Sequence, residues 1–226
     1  GVLMSWFTFN GVSNTDVGVM VERVPTLPSP SKRVTYLTIP GRDGDLALWD
    51  GSYDSFDLAI SCGVPDTVRL HEIRQWLSGV GWLVVSADPT HRIKARVDTG
   101  QIYQPVGSRF RRFAALFRCH PFRYELSPET HVVADDTLTL YNPSVVDAYP
   151  TITFDGTVVI NGDTFVAATE LTVDAEAMVV TKESGGETVS ATADLTGYVG
   201  NIKLIPGENT IVVTGNATIT PNWRWL

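Results

Sequence analysis

The chain has 226 residues, 43% hydrophobic and 19% charged, with a net charge of −8. That length suits one large domain or two ordinary ones with a real apolar core, so disulfide stapling is unnecessary. Its longest apolar runs, such as Trp82-Leu83-Val84-Val85 and Ala114-Ala115-Leu116-Phe117, are far too short to span a bilayer.

The charge is uneven. Residues 1–126 hold 14 Lys/Arg against 12 Asp/Glu, and residues 127–226 hold 3 against 13. The acidic half is a poor candidate for binding nucleic acid or an anionic membrane by direct attraction. The shift falls near Ser127-Pro128-Glu129-Thr130, a linker-like string that divides the chain into domains 1–130 and 131–226.

At the amino terminus no basic region precedes an apolar stretch and a cleavage site, so no secretion signal is expected; Met4 is the expected start, with Gly1 to Leu3 foreign to it. Phe7-Thr8-Phe9 alternates as a strand. The segment Val34 to Ile39 reads as another, ended by Pro40, which fixes its own φ and holds Ile39 extended. A demanding turn follows in Pro40, Gly41, Arg42, Asp43 and Gly44. Both glycines suit positive φ, and Asp43 before Gly44 favours a tight hairpin turn. Arg42 is left as a long planar donor at a rigid corner, open to Asp43, Asp45, a carboxylate of a neighbouring subunit, or plain solvent.

Phe56 to Ile60 and Ile93 to Val97 alternate as half-buried strands. Between them the pattern changes. Thr67 to Leu77 places Leu70, Ile73 and Leu77 at helical spacing beside Trp76, which predicts one helix over about 66–78 with Asp66 as its cap and Gly79 as its stop. Gly81 to Ser86 is a strand, Asp88-Pro89 a turn, and Phe110 to Arg118 a further strand. On that strand Arg109 and Arg111 share one face, with Phe110 and Arg112 on the other. The arginines Arg109, Arg111 and Arg112 are candidates for intersubunit salt bridges or a solvated face. The near balance of charge in this half argues against a nucleic-acid footprint.

The second half is rich in Thr and Val. Short strands are expected at Pro150 to Phe154, Val158 to Ile160, Leu171 to Val173, Met178 to Thr181, Asn201 to Leu204 and Thr210 to Thr214. Turns are expected at Asp155-Gly156, Asn161-Gly162, Gly185-Gly186 and Pro206 to Asn209. Such spacing indicates an antiparallel sandwich. The terminal Pro221 to Leu226, with Trp223 and Trp225, is expected to anchor as a last strand, its final residues packing back on the first domain; exposure would make it a sugar-stacking surface instead.

No catalytic, cofactor or metal site emerges. His71, His91, His120 and His131 are scattered, and no nucleophile elbow, phosphate loop or dinucleotide fingerprint is present. Asp43, Asp45 and Asp50 lack the spacing of a calcium loop, and Asp174 and Glu176 arise from one local segment rather than flanking a cleft. Cys62 and Cys119, without metal-ligand spacing, read as buried reduced thiols, with a bridge between them left open.

Several strings taken in order resemble the distal tail proteins of long, non-contractile-tailed bacteriophages. They are Phe7-Thr8-Phe9-Asn10-Gly11 with Asp16-Val17-Gly18-Val19, Pro40 to Gly44 with Tyr53, Trp76-Leu77, and Phe117 to Tyr124. Pro150-Thr151-Ile152, Asp174-Ala175-Glu176, Leu204 to Ile211 and Pro221 to Arg224 continue the series, so the resemblance spans nearly the whole chain. It implies a mainly β protein: a ring-forming, tail-tube-like amino-terminal β-sandwich or barrel with one helix and a β-hairpin extension, then a galectin-like antiparallel sandwich. It implies a non-enzymatic virion protein that assembles in the host cytoplasm. Its hexameric ring would join the tail tube protein to the tail tip, baseplate hub or receptor-binding protein. The channel would pass the tape-measure protein and DNA as cargo, without cofactors. A carbohydrate-binding adhesion module that contacts the bacterial surface is the competing expectation, although no clustered aromatic and polar set builds a sugar site here.

Overall fold

The computed structural model describes residues 5–98 and 100–226; the expected start at Met4, with Gly1 to Leu3, lies outside them. The chain divides into two compact units, one running through Arg123 and including Leu226, the other Tyr124–Trp225. The division falls within the strand Phe110–Glu125.

In the first unit an antiparallel sheet runs in the order Val12–Ser13, Phe7–Phe9, Gly79–Val85, Asp88–Val97, Phe110–Glu125, Phe56–Pro65 and Met20–Val21. Phe110–Glu125 shows why these residues make strands. Phe113, Ala115 and Phe117 point inward opposite Cys62, Ile60 and Leu58, all buried, while Ala114, Leu116 and Arg118 point outward. Phe7 and Phe9 pack edge-on against Phe117, with ring centroids 5.7 and 5.4 Å away.

The helix is shorter than its pattern predicts, Leu70–Trp76, and Asp66 does not cap it. Asp66 is engaged elsewhere: its carboxylate holds Arg111 at 2.9 Å and its N–H donates to the Arg109 carbonyl. The preceding strand therefore extends to Pro65, and the helix begins after an extended Arg69 that supplies no side-chain cap. Its stop is Leu77, whose N–H donates to the Ile73 carbonyl, rather than Gly79, which opens the next strand. Trp76 ties the helix down by stacking on Phe7 at 5.2 Å and donating its indole N–H to the Phe9 carbonyl. The turn expected at Asp88-Pro89 lies at Ser86-Ala87 instead, because Asp88 already pairs with Val85 across the sheet.

Both cysteines are free and buried. The register sets Cys62 opposite Phe113 and Cys119 opposite Phe56, so roughly 20 Å of strand separates them at about 3.3 Å per residue. Burial pushes each thiol up to about 12.

The second unit is a sheet ordered His131–Ala134, Gly207–Thr220, Thr151–Ile160, Asp163–Asp174, Val179–Ser184 and Glu187–Ser190, with Thr137–Asn142 also on Gly207–Thr220. Ile152, Phe154, Phe165, Leu171, Ile211 and Ile219 form its core, each at 2% exposure or less. Asp155-Gly156 is not a turn. It is a bulge inside Thr151–Ile160, where the register slips between Phe154↔Leu171 and Gly156↔Ala167. Asn201 to Leu204 is not a strand either: Val199–Asn201 is a 3₁₀ turn, and Leu204 alone bridges Ala148. The Leu204 carbonyl also accepts from the buried Asn142 side chain at 3.0 Å, which fixes this crossing. Trp223 packs against the core of this unit, and Arg224 lies 4.4 Å over the Tyr149 ring. Among the described residues no helix is long and apolar enough to cross a membrane.

Candidate assembly surface

Among the described residues Lys32–Thr38 and Asp45–Tyr53 pair only with each other, forming a two-stranded ribbon in the first unit. Its sequence is rich in β-branched, aromatic and aliphatic residues, which favour extended backbone. Cross-strand pairing sets Val34 against Trp49 and Tyr36 against Ala47 on one face, and Thr35 against Leu48 and Leu37 against Leu46 on the other. Both faces are therefore apolar, and both are open: Tyr36 is 67% exposed, Leu37 44%, Leu48 47% and Trp49 45%. A hairpin of this kind is at best marginally stable alone, and apolar surface on two sides marks it as an arm that another surface covers.

The arm is fastened at its base. Asp54 donates its N–H to the Ser31 carbonyl at 2.8 Å, and Arg33 meets the Asp54 carboxylate at 2.9 Å. Lys32 lies 4.2 Å over the Trp49 ring. Trp49 meets Tyr53 edge-on, and Tyr53 meets the buried Phe122 in the same way, each at 5.7 Å. This aromatic chain carries the arm's attachment into the strand Phe110–Glu125. A bulge between Lys32 and Val34 accommodates Asp50-Gly51-Ser52. There the Ser52 hydroxyl and N–H donate to the Asp50 carboxylate and hold it below its ordinary range.

At the tip, Ile39 to Gly44 form a six-residue loop between Thr38 and Asp45 whose hydrogen-bonded turn falls at Pro40-Gly41, closed by the Arg42 N–H on the Ile39 carbonyl at 3.1 Å, in place of a tight Asp43-Gly44 turn. Thr38 closes its mouth by donating to the Asp45 carboxylate at 2.8 Å. Gly41 and Gly44 take φ of +81° and +74°, so it is backbone conformation and not crowding that calls for glycine. Pro40, Arg42 and Asp43 are all exposed. Among the described residues Arg42 has no ion-pair partner, and only its N–H is engaged, by the Ile39 carbonyl.

The three other candidate arginines differ. Arg111 holds Asp66 at 2.9 Å and Arg112 holds Glu22 at 2.6 Å, both within the first unit, whereas the Arg109 side chain has no such partner among the described residues. Periodicity could not reveal these pairs, because Glu22 and Asp66 reach them only through the sheet. Asp174 and Glu176 likewise have structural employment. Asp174 accepts the N–H groups of Glu176 and Ala177, and Glu176 accepts the Tyr124 hydroxyl. His91 sits on Asp88 at 2.8 Å. Among the described residues no group of three or more His, Cys, Asp or Glu stands ready for a metal.

The architecture is that of phage tail hub and baseplate proteins. It matches SPP1 Dit (gp 19.1), described as a paradigm of the hub adsorption apparatus in phages that infect Gram-positive bacteria. The TM-score is 0.70 at 15% identity, over 98% of this chain and 99% of that one. A chain of the phage p2 baseplate in its activated conformation with strontium matches with a TM-score of 0.50 at 6% identity, over 95% and 97% of the two chains. At these identities the likeness is one of fold, and the fold is Dit-like. No family model and no curated protein sequence matches the chain.

Proposed function

We propose that the chain is a structural virion protein of a phage or prophage tail. It is one copy of a hexameric ring that joins the tail tube to the tip or baseplate and leaves a channel for tape measure and DNA. The observation that carries this reading is the arm, a hairpin with two exposed apolar faces on a Dit-like fold. A closed ring needs one patch on each copy to meet a different patch on the next, and an arm that its own chain leaves uncovered meets that need. Of the four candidate arginines, Arg42 at the arm's tip and Arg109 have no ion-pair partner among the described residues and can pair with a neighbouring copy, whereas Arg111 and Arg112 brace their own strand.

Negative-stain imaging tests the proposal, with six-fold rings around a central hole expected. Leu37→Ser combined with Leu48→Ser should give monomers whose melting temperature matches that of wild-type monomer; rings from this variant would sink the role of the arm. For Arg42→Ala, intact rings with lower thermal stability would show the side chain to be a brace within one subunit.

A further inference from the structure

Aspartate or asparagine followed by glycine closes readily to a cyclic imide, because a glycine nitrogen carries no side chain to obstruct attack on the preceding side-chain carbonyl. Five such pairs occur in the chain: Asn10-Gly11, Asp43-Gly44, Asp50-Gly51, Asp155-Gly156 and Asn161-Gly162. They differ in what holds the first side chain.

Four of the five are tied. Asn10 accepts the Trp82 N–H at 3.1 Å and lies so close to Gly81 that a Cβ there would stand 1.6 Å from its Oδ1. The Asp50 carboxylate accepts the Ser52 N–H at 2.9 Å and the Ser52 hydroxyl. Asp155 accepts the Asn216 N–H at 2.7 Å, within a strand paired on both sides. Asn161 donates to Asn209 at 2.8 Å and accepts the Thr210 N–H at 3.1 Å. Each must give up hydrogen bonds before its side-chain carbonyl can turn toward the next nitrogen.

Asp43 differs in every respect. It is exposed, and among the described residues its carboxylate makes neither a hydrogen bond nor an ion pair. The Gly44 N–H likewise has no hydrogen bond among the described residues. Gly44, at φ of +74°, has nothing within 4 Å of the place where a Cβ would stand, so no neighbour crowds the imide as it closes. The hydrogen bond from the Arg42 N–H to the Ile39 carbonyl ends before this pair and does not hold it.

We infer that Asp43 is a modification site, the aspartate that isomerises spontaneously in the folded chain. The Gly44 nitrogen bonds to the Asp43 side-chain carbonyl carbon, and the amide hydrogen and carboxyl hydroxyl leave as water. Water then adds back to the imide. Opening at the side-chain carbonyl restores aspartate, and opening at the main-chain carbonyl leaves isoaspartate, with the chain running through the former side chain. Composition is unchanged and water is the only co-reactant. The product has one more methylene in its main chain at the arm's tip, so a chain that waits alone alters the corner it presents. This chemistry does not depend on ring formation, and its failure would leave the tail-ring reading standing.

Peptide mapping of the full-length native chain, incubated in mildly acidic buffer and labelled by an isoaspartate methyltransferase, tests the inference. Isoaspartate should accumulate at Asp43 at least about tenfold faster than at Asp50 or Asp155, the rate equivalent of one or two hydrogen bonds. In Asp43→Asn the new amide should be lost at least about tenfold faster than those of Asn10 and Asn161 in the same molecule. In denaturant the three aspartates should convert at similar rates, since the ties are gone. Equal rates in the native chain, or earlier conversion at Asp50 or Asp155, overturn the inference. A lead for Asp43 as large in denaturant as in the native chain also overturns it, because local sequence would then make the selection.

Discussion

Two hairpins in this molecule use similar residues to opposite ends. In the second unit, Thr151–Ile160 and Asp163–Asp174 join through Asn161-Gly162, a two-residue turn, and bury Ile152, Phe154, Ile160, Phe165, Leu171 and Val173 on one face. In the arm, Lys32–Thr38 and Asp45–Tyr53 join through a six-residue corner and leave apolar side chains on both faces in water. The first hairpin is completed by its own chain, and the second awaits another surface. Strand propensity does not distinguish them; what differs is the distribution of apolar side chains between the two faces.

The largest break in this comparison comes from Phe154→Ala in the interior hairpin, which should cost about 3–5 kcal/mol in chemical denaturation. Leu48→Ala in the arm should change monomer stability by no more than about 0.5 kcal/mol and act on assembly alone. Gly156→Ala comes next. Gly156 has φ of +87°, and an added Cβ would stand 2.2 Å from the Thr214 carbonyl oxygen, so roughly 2 kcal/mol or more is expected. Gly41→Ala has the same conformational cost without the collision and should lose about 1 kcal/mol, read in the same denaturation series.

The effect that is smallest at neutral pH is thiol titration, which emerges only in alkaline solution. Cys62 and Cys119 are raised from 9.0 to about 12 by burial. Because the folded values lie above the unfolded ones, the stability held by keeping these thiols protonated is fully present below about pH 9. It is lost progressively as pH rises towards 12. A denaturation series across that window should show the slope in wild type and lose most of it in Cys62→Ala with Cys119→Ala. An unchanged slope would assign the effect to other groups.

Much of the interior was legible because burial writes alternation into sequence. Phe113, Ala115 and Phe117 mark the inward face of their strand, and Asn161-Gly162 and Gly185-Gly186 mark turns that exist. Asp155-Gly156 misled because a glycine at positive φ serves a bulge as well as a turn. The slip at this bulge sets Asp155 alone against Ala168, Thr169 and Glu170. That difference is even, so Ile152, Phe154, Val158 and Ile160 keep one face and the pattern carries no trace of the bulge. Helix length failed for another reason: Asp66 looks like a cap in sequence, but its partner Arg111 is distant in the chain and near only through the sheet. The corner Pro40 to Gly44 was recognisable as a turn, yet its position at the end of an uncovered ribbon emerged only with the fold.

The two buried thiols have a practical consequence. At neutral pH they are protonated and out of reach of an alkylating dye, so the native chain behaves toward maleimide chemistry as though it had no cysteine. A single Asp43→Cys exchange at the arm's tip would therefore accept one fluorophore per molecule without removal of either native cysteine. Energy transfer between donor- and acceptor-labelled copies could then follow the arm as it meets its neighbour.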